Sequence, residues 1–272
     1  MNLETTIGSP VRVGVILPVY NVEQTVGPAI SQICDLLGSQ PGEILVIDNK
    51  STDESLYVAR TTLTESTLDQ GSWKIVENEV NLGYGASVRE GFRFFSSRNV
   101  THYLVLHSDG QADNFILARS LIKALRESGA DLALGSRFLD ESDLSEYSKF
   151  RKYANVFFNQ LTALSSGVEI SDAGSAMILV RKDLALSIPE SDLPNDWRFH
   201  PVLNMALTAN PEVQVVNIPM RWSDSEAGSS VPVLRYGLQL FGLLIGAWWR
   251  RSISRSPRWW RADRPHAFGI RS

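Results

Sequence analysis

His107, Asp109 and Gln111 stand at alternate positions directly after the apolar run Tyr103–Leu106, with Gly110 between the last two. A buried strand ending in such a cluster presents polar side chains at its carboxyl edge, and Gly110 permits a tight turn there. Side chains so placed suit a divalent cation held against a diphosphate, because hard cations take oxygen ligands. The carboxyl edge is also where open α/β sheets bind their ligands. Tyr20 and Asp48 occupy the matching ends of two earlier apolar runs, and Arg137 follows a fifth. Asp48 and Asp53 also suit turn and cap positions. The guanidinium of Arg137 matches phosphate oxygens bidentately.

The elements that position these residues follow from hydrophobic spacing. Short apolar runs at 11–18, 43–48, 73–76, 103–106 and 131–135 predict strands. Helical spacing fills 22–37, 83–95 and 115–126, and Ser51-Thr-Asp-Glu54 offers caps and early acids for another helix. Strands alternating with amphipathic helices predict an α/β fold, a mostly parallel sheet covered on both faces. Beyond Gly135 the pattern changes. Residues 148–165 predict a helix with Phe150, Tyr153, Phe157 and Leu161 on its apolar face and Arg151, Asn155 and Asn159 as a polar stripe. Further strands are expected at 176–180 and 213–218.

At 272 residues, with 43% hydrophobic and 21% charged residues, the chain has an ordinary globular composition. Its single Cys34 excludes an internal disulfide and fits a reducing compartment. Met1–Pro10 is polar and does not read as an export signal. The net charge of −4 is unevenly spread: Arg250–Ser272 holds seven arginines and one acid, leaving 19 basic against 29 acidic residues elsewhere. The body thus carries about −10 and the tail about +6, which argues against a general nucleic-acid binder and for a local anionic partner such as phospholipid head groups. Tyr236–Trp249 is an uncharged stretch of fourteen residues, shorter than the roughly 20 a spanning helix needs. Tryptophan pairs at 248–249 and 259–260, interleaved with arginines, read either as an interfacial anchor or as a helix packed on the domain. Gly237, Gly242 and Gly246 leave self-association open.

Five segments occur in register: Pro18-Val-Tyr-Asn21 with Glu23, Ile47–Asp53, Asn81-Leu-Gly-Tyr-Gly85, Ser108-Asp-Gly-Gln111 and Gly135-Ser-Arg137. In that order they resemble the inverting family 2 glycosyltransferases of the GT-A fold. Arg151–Asn159, Ser171-Asp-Ala-Gly174 and Met220-Arg-Trp222 with Gly228-Ser229 resemble the dolichyl- or polyprenyl-phosphate mannose and glucose synthase branch. The resemblance covers about residues 11–245. It implies one GT-A domain over 11–230, after a polar segment 1–10 and before an apolar, basic segment 231–272 that associates with a membrane surface through 236–261. It places the nucleotide-sugar donor at Pro18, Tyr20, Asn21, Glu23, Asp48, Asn81, Gly83, Asp109 and Arg137. It puts Mg²⁺ or Mn²⁺ at Asp109 and Gln111, with His107 where the family usually has Asp. Asp109, Arg137, Arg151 and Asp172 would serve catalysis, with Arg137, Arg151 and Arg221 as candidates for the acceptor phosphate and Asp172 near the sugar. Asn49 and Lys50 replace the usual Asp-Gly, and Val22 a frequent Glu.

Two acceptor classes demand different chemistry. A hydroxyl must lose a proton, and Asp196 is the candidate base for it. A lipid phosphate is already ionised and needs only positioning and charge neutralisation. The absence of a Glu-Asp base motif in 193–200 favours the phosphate, hence an enzyme acting peripherally on the cytoplasmic face of a membrane. The alternatives are a family 2 transferase to a glycan or small-molecule hydroxyl, and a nucleotide-binding module without catalysis. No Gly-x-Gly-x-x-Gly follows the first strand, which disfavours a nicotinamide dehydrogenase.

Overall fold

The computed structural model describes residues 10–223 and 233–262. The expectations for 1–9, for Gly228-Ser229 and for Arg264 and Arg271 lie outside the described residues.

Among the described residues seven strands form one sheet: β1 (Val13–Val19), β2 (Gly42–Asp48), β3 (Trp73–Glu77), β4 (His102–Val105), β5 (Leu132–Ser136), β6 (Ile178–Arg181) and β7 (Val215–Pro219). Their order is β3-β2-β1-β4-β6-β5-β7, and only β6 runs antiparallel to its neighbours. β1 is buried at all seven positions, as expected of a central strand covered on both faces. The mostly parallel sheet read from the apolar runs is thus present, with boundaries moved by one or two residues.

The helices are α1 (Val26–Leu37), α2 (Ser55–Glu65), α3 (Tyr84–Ser96), α4 (Asn114–Ser128), α5 (Lys149–Ser166), α6 (Lys182–Ser187), α7 (Phe199–Thr208) and α8 (Val233–Ser252). One apolar layer packs α1 and α4 on the sheet through Ile30, Ile33, Leu121 and Leu125. The other packs α3, α7 and α8 through Phe92, Phe95, Leu203 and Leu244. Asp113 caps α4 by accepting from the Ile116 N–H at 2.8 Å, and Gly129 ends the helix in the left-handed region. Hydrophobic spacing does not reveal α7. All ten of its residues are buried, so it has no polar face to create a period.

α5 is inverted relative to an ordinary surface helix. Its polar stripe points inward: Asn159 donates to the Ser171 carbonyl (3.0 Å) and accepts from the Ala173 N–H (3.0 Å). Phe150, Tyr153 and Phe157 point outward. α8 lies alongside, with Gly237 against the Phe158 ring and the Arg251 guanidinium over Gly167. Of the three spaced glycines, only Gly237 meets another helix; Gly242 has nothing within 4 Å of the position its Cβ would take.

Candidate active site

β1 and β4 lie side by side at the centre of the sheet, and their carboxyl ends open into a cleft of about 240 Å³. Pro18 and Tyr20 after β1, Asn81 and Gly83 before α3, and His107 and Asp109 after β4 all line it. Hydrogen bonds lock these loops together. Ser108 Oγ donates to the Pro18 carbonyl (2.7 Å), Thr25 Oγ1 to the Ser108 carbonyl (2.7 Å), and Asn114 Nδ2 to the His107 carbonyl (2.7 Å).

Asp48 ends β2 almost fully buried. Its Oδ2 accepts from the Ser51 N–H at 3.0 Å, while Oδ1 has no hydrogen-bond partner. A buried acceptor left without a donor is costly, although Asp48 lies behind the cleft rather than among its lining residues. Beside it, Asn49 Oδ1 accepts from Asn78 Nδ2 and the Leu82 N–H, each 2.9 Å away, and Asn49 Nδ2 donates to Asn81 Oδ1 (2.9 Å). Asn49 therefore fixes the loop that forms one cleft wall. Lys50 takes a positive φ of 67° and pairs with Glu77 at 3.0 Å. Asn21 and Glu23 are not among the cleft-lining residues. They brace the neighbouring loop instead: Asn21 Oδ1 accepts from the Thr52 N–H (2.8 Å) and Glu23 Oε2 from the Glu54 N–H (3.0 Å).

Gly83 has φ 92°, and a Cβ there would collide with the Asn195 carbonyl. Gly85 is likewise closed in by the Pro194 carbonyl and Phe199. The two glycines thus admit the 194–199 segment, a neighbour that glycine spacing alone does not identify. That segment brings a ring missed in the sequence, and a histidine that reads from sequence equally as packed or as catalytic. Trp197 stacks on Tyr84 with ring centres 4.8 Å apart, and both line the cleft. Below them, His200 Nε2 lies 3.0 Å from the Tyr84 hydroxyl. Burial pushes the His200 pKa far down and the Tyr84 pKa up, so both are neutral. The only sequence signal was the stretch Asn195–Arg198, legible for its carboxylate rather than its ring. Asp196 lines the cleft too, but Arg198 grips it through Nε at 2.9 and 3.1 Å and Nη2 at 2.7 Å.

His107 Nδ1 sits 3.7 Å from Asp109 Oδ2, beyond hydrogen-bond length. Burial lowers the His107 pKa most; Asp109 pulls it up, Arg137 pushes it down, and the net shift is downward. The ring is therefore the neutral form that can ligate a metal. Gln111 Nε2 donates to the Ser223 carbonyl at 3.0 Å, which ties its carboxamide to the strand-end loop. Among the described residues, no group of three or more His, Cys, Asp or Glu surrounds this corner. One carboxylate and one imidazole fit an ion that draws its other ligands from a diphosphate and water.

Trp222 links this corner to a second one. Its ring meets His107 edge-on at 5.4 Å and lies 5.4 Å from the Arg137 guanidinium. Arg137 donates to Asp172 from Nε (2.7 Å), Nη2 (2.8 Å) and its backbone N–H (3.1 Å). Burial alone would lower the Arg137 pKa, but the Asp172 carboxylate more than offsets it, so the arginine stays charged. Arg137 and Asp172 are thus brought together as one buried pair. Arg151 lies half-buried on α5, and its stripe partner Asn155 donates to Tyr147 Oη (2.8 Å), itself beside Arg137. Arg221 is exposed and faces Asp143 at 3.6 Å and Glu146 at 3.4 Å.

Residues 14–187 match the family described as Glycosyl transferase family 2. The chain belongs to that family. This family 2 glycosyltransferase is 26% identical over 176 residues to a dodecaprenyl-phosphate galacturonate synthase of Rhizobium johnstonii, covering 64% of the chain and 48% of the relative. It is 24% identical to a dolichol-phosphate mannosyltransferase of Pyrococcus furiosus, covering 64% and 47%. It is 25% identical to a dolichyl-phosphate beta-glucosyltransferase of Saccharomyces cerevisiae, covering 77% and 66%. The chain thus spans about half the length of the first two. Its fold is GT-A. Glucosyl-3-phosphoglycerate synthase from Mycobacterium tuberculosis, solved with Mn²⁺, UDP and phosphoglyceric acid, superposes with a TM-score of 0.64 at 16% identity, covering 93% of this chain and 80% of that one.

Proposed function

We propose that this family 2 glycosyltransferase moves a sugar from a nucleotide-sugar to a polyprenyl phosphate with inversion. In the displacement a phosphate oxygen of the lipid bonds to the anomeric carbon as the bond from that carbon to the nucleotide diphosphate breaks. The electron pair leaves with the diphosphate, and no proton need be abstracted. Tyr20 and the wall formed by Asn81 and Gly83, backed by Asp48, hold the nucleotide, and Arg137 with Asp172 and Arg151 orients the acceptor phosphate. A Mg²⁺ or Mn²⁺ ion at Asp109, with His107 and Gln111 beside it, would neutralise charge growing on the departing diphosphate.

The observation that carries this reading is the bidentate grip of Arg198 on Asp196, the cleft carboxylate best placed to act as a base. Both Asp196 oxygens already accept from Arg198, whereas an ionised phosphate needs no proton acceptor. The names of the polyprenyl- and dolichyl-phosphate relatives support the same acceptor. Work on the cytoplasmic face of a membrane, with docking through 236–261, follows from that acceptor. Among the described residues no helix is long and apolar enough to cross a membrane. The test is incubation with polyprenyl phosphate in membranes and a panel of radiolabelled nucleotide-sugars. Lipid-extractable label with one donor is expected. Label only in soluble glycan would transfer the reading to a hydroxyl acceptor, and nucleotide binding without turnover would leave a binding module.

A further inference from the structure

We propose that α5 and α8 together form a docking face for the headgroup layer of an anionic bilayer, so that the helix supplying Arg151 to the site itself rests on the lipid. The proposal deepens the lipid-acceptor reading and rests on it for its catalytic purpose. Phe150 and Tyr153 are each 71% exposed, and Phe157 and Leu164 continue their stripe. α8 buries Leu240, Leu243, Leu244 and Ala247 against the body while Leu238, Phe241, Ile245 and Trp249 remain exposed. A helix apolar all round calls for cover on its outer side, and an exposed apolar patch of this kind marks a binding surface. Because the two helices lie side by side and each turns its opposite face to the body, their outer stripes adjoin.

Charge decides between a bilayer and a second copy of the chain. Residues 149–166 and 233–262 contain nine Lys and Arg and no Asp or Glu, and of these Arg258 is paired with Asp192, on a molecule whose remainder is strongly acidic. A two-fold dimer through this face would set that positive surface against itself. Anionic headgroups complement it, with Trp248 and Trp249 at headgroup depth and apolar side chains just below; Trp259, by contrast, is buried against the body. The inversion of α5 then has a purpose. Its apolar side meets lipid while Asn155 and Asn159 face the site, so a lipid phosphate reaches Arg137 without its chain leaving the membrane.

The test is flotation of the full chain with vesicles of phosphatidylcholine alone or mixed with phosphatidylglycerol, both free of polyprenyl phosphate. Wild type should float with the anionic vesicles and lose binding as salt rises. The α5 variant Phe150→Gln/Tyr153→Gln/Phe157→Gln should lose on the order of a hundredfold in partitioning, as should Phe241→Gln/Ile245→Gln/Trp249→Gln on α8. Nucleotide affinity by calorimetry and transfer to a short, water-soluble prenyl phosphate should stay unchanged in the α5 variant. Undiminished flotation of that variant, equal binding to neutral vesicles, or no wild-type binding would overturn the proposal. So would a concentration-dependent dimer abolished by the same substitutions, which would assign the face to a second copy. Flotation without transfer to any prenyl phosphate would leave the docking face standing and remove the acceptor reading instead.

Discussion

Asp109 and Asp196 are carboxylates lining one cleft, and their partners separate their roles. Asp109 has a neutral imidazole at 3.7 Å and the Gln111 N–H at 3.3 Å but faces no cation among the described residues, whereas Asp196 is clamped by a guanidinium. Asp109→Asn is therefore expected to cut lipid-linked transfer by about 10²–10³-fold, measured as label extracted at saturating donor, because a charge-stabilising contact is lost. Asp196→Asn should retain transfer within a few fold, whereas a drop of about 10²–10⁴ would mark it as a general base. Asp172 holds no free charge for chemistry while Arg137 is bound to it. Asp172→Ala should destabilise the fold by about 3–5 kcal/mol by stranding a buried guanidinium, read from denaturant midpoints. Replacing both partners, Arg137→Met with Asp172→Leu, should recover part of that stability while abolishing transfer. The motif residues were legible because their types carry chemistry wherever they stand. Their pairing was not, because Arg137 and Asp172 meet only through the packing of β5 against the loop before β6.

At the scale of elements, β4 delivers His107 and Asp109, and its opposite end holds His102. Burial, reinforced by Arg181, pushes the His102 pKa down to about 4 from an ordinary value of 6.5. A histidine with a lowered folded-state pKa leaves the unfolded chain to take the proton first. Stability is therefore complete above about pH 6.5 and declines as pH falls towards 4. His102→Gln should flatten that acid limb in thermal melts between those values; an unchanged slope would show that the ring is not held neutral. The strands could be read directly as short apolar runs and the amphipathic helices from their 3.6 period, since both survive in the sequence. α7 could not, because uniform burial erases its period, and the stacking of Tyr84 on Trp197 is a long-range contact that local spacing does not show.

For the whole molecule, donor binding and stability are linked, since a ligand that binds only the folded chain raises the melting temperature. The cognate nucleoside diphosphate with Mn²⁺, at about 100 times its dissociation constant, should add about 2.7 kcal/mol and raise the midpoint by several degrees. A chelator should abolish that shift; persistence of the full shift would remove the ion from Asp109. By itself the sequence determined the α/β class, the run of strand-end residues that build the donor corner, and the concentration of positive charge near the carboxyl end. These are properties of local order along the chain. Only the tertiary structure decided that α5 turns its aromatic side outward, that Gly83 yields to Asn195, and that Asp196 is spent on Arg198. Each of these depends on which distant surface a residue meets, and local spacing does not encode that meeting.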